Sequence, residues 1–363
     1  MIHETARLHS PSASASAMTG VLIVDDSLLV RTVFKRIIGA QPDLQVVAAV
    51  RSAEDALSLL KGTQPPVILL DLEMPGMGGA QALPEILRVS PASQILVVSS
   101  LTQDGGEHAV RALSMGAADT MAKPRSGEFD QRYTDDLLAR IRALDPSRQR
   151  ASLPHNPAAD RPASPARLRD PDIIAIGAST GGIHAISKFL QALPPDMDRP
   201  IAITQHLPHE FMPIFVRQLE TCSGRPTSLA RPAMEVRRGT IYVAPGDSHL
   251  LFSRSDTGLS LDLSKAPAPS GCCPSVDPML ESAAHACDGN AIGVILSGMG
   301  RDGAIGAASL VRAGGMILAQ DPDSSAVWGM PGAVSRAGLA DATLPPEALA
   351  RHICRHRLRE AAA

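Results

Sequence analysis

The sequence has few aromatic residues. One Trp, two Tyr and six Phe make up 2% of 363 residues. Its cores must therefore be built from Leu, Ile, Val, Ala and Met. It also has no basic excess: the formal net charge is -3 at pH 7. That charge argues against nucleic acid as the main partner. The five cysteines, Cys222, Cys272, Cys273, Cys287 and Cys354, form no C-x-x-C pair. An odd count without such spacing argues against a disulfide framework or a zinc ribbon and fits reduced thiols in a cytoplasm. No apolar run reaches the roughly 20 residues that a membrane helix needs. Residues 1–18, small and polar, lack the apolar core of a signal peptide and read as a disordered extension.

Within these limits the chain is long enough for two or three domains. From residue 19 to 145, short β-branched runs alternate with helical patterns. The runs are VLIVD (21–25), QVVAAV (45–50), VILLD (67–71) and ILVVSS (95–100), with a weaker fifth at 119–122. Such runs read as buried parallel strands, and their alternation with helices implies a doubly wound α/β sheet. Residues 146–171 are rich in Pro, Ala and Arg without apolar periodicity and read as a linker. Alternation resumes over 172–355, with strands expected at 172–177, 200–205, 240–244, 291–297 and 314–320. This is a second α/β, Rossmann-like domain.

Open α/β sheets bind ligands at the C-terminal ends of their strands. In the first domain those ends carry Asp25 and Asp26, Asp71, Ser99 and Lys123. Clustered carboxylates repel unless a cation joins them, and hard oxygen ligands suit Mg²⁺. One aspartate could then attack a phosphoryl group, with a lysine and a hydroxyl on the phosphoryl oxygens. Taken singly, each acid could equally cap a helix. The motifs VDDS, LLDLEMPGMGG, VVSSLT and AKP resemble the receiver domain of two-component response regulators. The resemblance implies that Asp71 accepts phosphate from a histidine kinase. It implies Mg²⁺ ligands from Asp25, Asp26, Asp71 and the backbone carbonyl of Glu73. Ser99 becomes the switch hydroxyl and Lys123 the phosphate contact. Thr120 stands where many receivers have an aromatic switch residue, and Gly78 where an acidic residue is frequent.

In the second domain Ser179 lies in IGASTGG at a strand-to-helix turn. The pattern matches the G-x-S-x-G nucleophile elbow, but glycine-rich turns of this kind also bind phosphates. A serine nucleophile needs a base. His206 closes an expected strand; His184, His209, His249 and His285 are less well placed. A third, acidic member is needed to fix the imidazole. Asp302 in ILSGMGRDGA qualifies, with Asp277, Asp288 and Asp321 as alternatives that read as caps or turns. The order Ser–His–Asp differs from that of α/β-hydrolases. GASTGG, QHLPHEF, VAPGDSHL, PSVDPML, ILSGMGRDGA and AQDPDSSAVWGMP together resemble the chemotaxis protein-glutamate methylesterase (CheB) family. That resemblance implies Ser179 as nucleophile, His206 as base and Asp302 as orienting acid. Thr180 adjoins the nucleophile, and the N–H of Met299 becomes an oxyanion donor. It implies demethylation, and glutamine deamidation, on methyl-accepting chemoreceptors, in the cytoplasm, with no cofactor for the esterase step and no membrane insertion. The family often has His-Asn or His-Arg before the PSVD stretch, where this chain has Cys272 and Cys273.

Overall fold

A computed structural model describes residues 18–99, 103–124, 129–151, 170–256 and 258–360. The expected N-terminal extension and most of the expected linker lie outside these residues. The first domain runs β1 (Thr19–Val24), α1 (Leu28–Gly39), β2 (Leu44–Val50), α2 (Ala53–Leu60), β3 (Val67–Asp71), α3 (Gly78–Val89), β4 (Gln94–Ser99), α4 (Gln103–Met115), β5 (Asp119–Ala122), α5 (Gln131–Leu144) and α6 (Pro146–Ala151). Its sheet is parallel in the order β2-β1-β3-β4-β5. The fully buried runs of β1 and β3 explain why these strands read as unbroken apolar stretches. Helix starts follow local chemistry. Ser52 accepts the Asp55 N–H at 3.1 Å to cap α2, and Asp130 accepts the Tyr133 N–H at 2.8 Å to cap α5.

The opening of the stretch read as linker is helical instead. Pro146 begins α6, where a missing N–H costs nothing. Asp145 accepts the Ser147 N–H at 2.9 Å, and Arg148 reaches Asp43 Oδ2 at 2.7 Å, tying α6 to the first domain. Proline-rich composition hid a helix start.

The second domain runs β6 (Ile173–Ala178), α7 (Gly182–Gln191), β7 (Ile201–Gln205), α8 (Met212–Ser223), β8 (Thr227–Leu229), β9 (Met234–Glu235), β10 (Ile241–Val243), β11 (His249–Ser255), β12 (Gly258–Ser264), α9 (Val276–Ala286), β13 (Ala291–Ile295), α10 (Ala304–Arg312), β14 (Met316–Gln320), α11 (Met330–Arg336), β15 (Ala342–Leu344) and α12 (Pro346–Glu360). Seven strands make a parallel sheet, β15-β14-β13-β6-β7-β10-β8. The other three, β11-β12-β9, form a small antiparallel sheet. Among the described residues no helix is long and apolar enough to cross a membrane.

The two domains share apolar packing. Val110 and Leu113 of α4 join Ile183 and Ile186 of α7 and Phe211 before α8 in one buried cluster. Gly106 of α4 has room for no side chain without touching Phe211 and Ile214, 3.2–3.3 Å from where a Cβ would stand.

Candidate active site and phospho-acceptor pocket

The second site is built by strand register. In the parallel pair β6–β7, Ala178 stands opposite Gln205. Ser179 and His206 are the next residue on each strand, so they emerge side by side at the C-terminal edge. On the other flank of β6, Ile295 of β13 pairs with Gly177. The loop after β13 carries Asp302. The strands run outward in opposite order on the two sides of β6, the switch point at which open α/β sheets open a crevice.

The turn bearing Ser179 is clamped on three sides. The Ser179 N–H donates to Ser297 O at 3.0 Å, and Ser297 Oγ donates to Thr180 O at 2.7 Å. Gln205 Nε2 donates to Ser179 O at 2.9 Å. Gly181, at φ 77°, then turns the chain into α7. Ser179 is packed against Gly298, whose absent Cβ would lie 2.9 Å from the Ser179 Cβ. The backbone N–H groups of Thr180 and Met299 donate to no other backbone group among the described residues. Both border the serine and can serve an oxyanion.

His206 and Asp302 form a direct pair, with Nε2 2.8 Å from Oδ2. Asp302 is buried and densely held. It accepts the Val276 N–H at 2.8 Å, the Gly303 N–H at 2.9 Å, the Ser275 hydroxyl at 2.7 Å and the Asp277 N–H at 3.3 Å. Burial alone would raise its pKa; His206 and these donors hold it down to about 2. Burial alone would lower the pKa of His206. Contacts with Asp302 and Cys272 outweigh that and push it up to about 9. Among the described residues no hydrogen bond joins Ser179 to His206, so the two side chains emerge from neighbouring strand ends without being engaged. The alternative acid Asp277 faces α10 instead, where it accepts the Gly306 N–H at 2.9 Å. His184 and His249 also have structural partners, the Ser114 and Ala266 carbonyls.

Sequence reading did not single out Gln205, Ser275 or Ser297. Their signal was position alone: Gln205 precedes His206 at the end of β7, Ser297 follows β13 five residues before Asp302, and Ser275 directly precedes α9.

The first site gathers at the edge of the other sheet, at the β1–β3 switch point of its strand order. Asp25 and Asp71 are buried, Asp26 is exposed, and a carboxylate oxygen of each lies within 4.8 Å of the others. Lys123 Nζ is 2.6 Å from Asp71 Oδ2 and 3.3 Å from Asp25 Oδ2. Burial raises the pKa of Asp71 to about 6 despite Lys123, and raises that of Asp25 as well. Asp25 Oδ2 accepts no hydrogen bond of good geometry. One ammonium does not satisfy this oxygen cluster, and a divalent cation fits it. Ser99 is buried at the end of β4, and the Lys123 N–H donates to its carbonyl at 2.7 Å. The Glu73 N–H donates to Asp71 Oδ1 at 3.0 Å.

The turn after Ser179 meets the start of β5 across the domain boundary. Thr180 Oγ1 donates to Asp119 Oδ2 at 2.7 Å, and the Gly181 N–H donates to Ala118 O at 2.5 Å. Asp119 also pairs with Arg140 at 2.7 Å. A cleft of about 210 Å³ lies between the domains, lined by Ser99, Thr120, Met121 and Tyr133 on one side and His206 and Phe211 on the other.

A family model described as CheB methylesterase matches residues 174–353, and one described as response regulator receiver domain matches residues 21–132. Several relatives are named protein-glutamate methylesterase/protein-glutamine glutaminase. The one from Paramagnetospirillum magneticum is 38% identical over 93% of this chain and 96% of its own length. That from Chromohalobacter salexigens is 42% identical over 89% and 92%. That from Caulobacter vibrioides is 39% identical over 92% and 97%. A receiver sheet joined to a hydrolase sheet, matched end to end by relatives of the same two-part design, places this chain in the receiver-linked CheB methylesterase family.

Proposed function

We propose that Ser179, His206 and Asp302 hydrolyse glutamate γ-methyl esters on chemoreceptors under control of Asp71. The observation carrying this reading is the β6–β7 register: it sets Ser179 beside His206, which is already paired with Asp302 at 2.8 Å. His206 takes the Ser179 proton as the oxygen attacks the ester carbonyl. The N–H groups of Thr180 and Met299 hold the tetrahedral oxyanion. Methanol leaves with the proton from His206. Water, deprotonated by the same imidazole, then cleaves the acyl-enzyme. Deamidation of glutamine follows the same route, with ammonia leaving, and matches the second activity in the relatives' names.

The domains are taken as 19–145 and 172–355, with 146–171 between them. Asp71 accepts a phosphoryl group from a histidine kinase, in the cytoplasm where receptor signalling domains lie. Mg²⁺, held by Asp25, Asp26, Asp71 and the Glu73 carbonyl, would supply charge neutralisation at the phosphoryl oxygens. Lys123 and Ser99 contact those oxygens. In the conformation described, the first domain grips the turn after Ser179 through Ala118 and Asp119. Asp119 begins the strand that ends beside Lys123, so a phosphoryl group drawing on Lys123 acts on the same strand that holds the serine turn.

The test is methanol release from methylated chemoreceptor membranes, with and without a small phosphodonor and Mg²⁺. Ser179→Ala is expected to abolish release. Asp71→Ala is expected to keep basal release and lose its stimulation. No release from wild type on several receptor preparations would sink the esterase reading.

A further inference from the structure

Cys272 lies beside the histidine of the proposed hydrolase site. A ring nitrogen of His206, the Cys272 sulfur and a carboxylate oxygen of Asp302 lie within 4.8 Å of one another. The loop between β12 and α9 that carries Cys272 is tied at several points. The Gly271 N–H donates to Ala268 O at 2.9 Å, and the Cys272 N–H to Ser270 Oγ at 3.2 Å. Ser270 Oγ donates to Ser275 Oγ at 3.1 Å, and Ser275 Oγ to Asp302 Oδ1 at 2.7 Å. The Ser275 N–H donates to His249 Nδ1 at 2.9 Å. The sulfur is thus held within 4.8 Å of an imidazole nitrogen, and its S–H donates to Ser270 O at 3.9 Å.

A thiol on a histidine that is itself paired with a carboxylate is the arrangement that activates cysteine nucleophiles. Both oxygens of Asp302 already accept protein donors, so the carboxylate stays ionised and supports an imidazolium. The same saturation leaves Asp302 little capacity for a metal ion, which favours thiol chemistry over a metal centre. The imidazole beside it can accept the thiol proton as the sulfur attacks an electrophile. Cys272 is half-buried, within reach of a small oxidant. Its neighbour Cys273 is exposed, yet its pKa is raised by partial burial and by Asp247, and it gains no imidazolium.

We infer that Cys272 is a modification site: a thiol beside the His206 imidazole that hydroperoxides oxidise to a sulfenic acid, switching the hydrolase off. This rests on His206 being the base of the proposed reaction. The sulfur attacks one peroxide oxygen, forming an S–O bond as the O–O bond breaks. Sulfur loses two electrons and the peroxide gains them. The departing hydroxide takes the proton of the His206 imidazolium and leaves as water. The sulfenic acid then fills the space beside the ring and competes with Ser179 for it. Thiols reverse the step by way of a mixed disulfide.

The experiment treats the full chain with hydrogen peroxide. Sulfenic acid is trapped and mapped by mass spectrometry, and methanol release is measured before and after, each variant against its own untreated sample. Trapping at Cys272 is expected about tenfold faster than at Cys273, and His206→Gln is expected to remove that advantage. Cys272→Ser should keep its activity under peroxide. Cys273→Ser should lose activity as wild type does and regain it with dithiothreitol. Equal trapping at the two cysteines, or peroxide loss in Cys272→Ser matching wild type, would overturn the inference. Trapping needs no esterase activity. Fast His206-dependent trapping without any methanol release would therefore refute the esterase reading and leave the reactive thiol standing. Ser179-dependent release with an inert Cys272 would do the reverse.

Discussion

At the scale of single residues, the charge state of His206, the proposed base, is expected to set the working range of the enzyme. Its burial lowers the pKa, but Asp302 and Cys272 raise it to about 9. A base must be neutral to accept a proton, so release of methanol is expected to climb with pH from 7 and level off near 9. The stability contribution of the pair runs the other way. Because the folded value lies above the ordinary 6.5, the contribution is complete below about pH 6.5 and is lost as pH rises through about 9. Asp302, held to about 2, stays ionised throughout this range. Kinetics and thermal melts between pH 6 and 10 check both limbs, and an activity plateau already reached at pH 7 would contradict the first. The candidate site residues were picked out because each follows, directly or through a short glycine-rich loop, an apolar run that reads as a strand. Their supports were not. Ser297, Gln205 and Ser275 act through backbone contacts set by loop geometry, and no spacing in the sequence announces that. Cys272 was visible as a departure from its family, but its contact with His206 depends on a loop fold that spacing does not encode.

At the scale of elements, continuous apolar runs were read well and alternating ones poorly. VILLD at 67–71 became β3 without a residue's change. The antiparallel pair β11–β12 was missed as a sheet, although GLSLDLS alternates apolar and polar residues as a one-face-buried strand should. This small sheet matters because the loop leaving it brings Ser275 and Val276 onto Asp302. The contact between β6 and α9 is equally close. A Cβ on Gly177 would stand 2.4 Å from Val276 Cγ1, and both residues are fully enclosed. Gly177→Ala should cost about 1–3 kcal/mol by overpacking. It should also displace the Val276 N–H that holds Asp302, so activity is expected to fall more than stability alone requires. A melt shifted by only a degree with full activity would show that α9 yields freely.

At the scale of the whole molecule, the arrangement described is a closed one. The first domain holds the turn beside the serine through Thr180–Asp119 and Gly181–Ala118, and α4 packs its apolar face on α7 and α8. An exposed ion pair, Glu107–Arg217 at 2.8 Å, bridges the same boundary. If this contact restrains the hydrolase, loosening it should mimic phosphorylation. A hydrogen bond to a charged group contributes about 1.5–3 kcal/mol, so Asp119→Ala is expected to raise basal methanol release by roughly tenfold and to shrink the further gain from phosphodonor. Asp119 also pairs with Arg140, so the substitution could act by loosening the first domain itself. The surface pair separates the two effects. Glu107→Arg sets two cations against each other at the boundary without touching either site, and should raise basal release. Adding Arg217→Glu restores an ion pair of reversed sense and should lower it again. Recovery in the double variant would tie activity to domain contact. A double variant as active as Glu107→Arg alone, with Asp119→Ala no more active than wild type, would mean that the contact between the domains does not restrain catalysis.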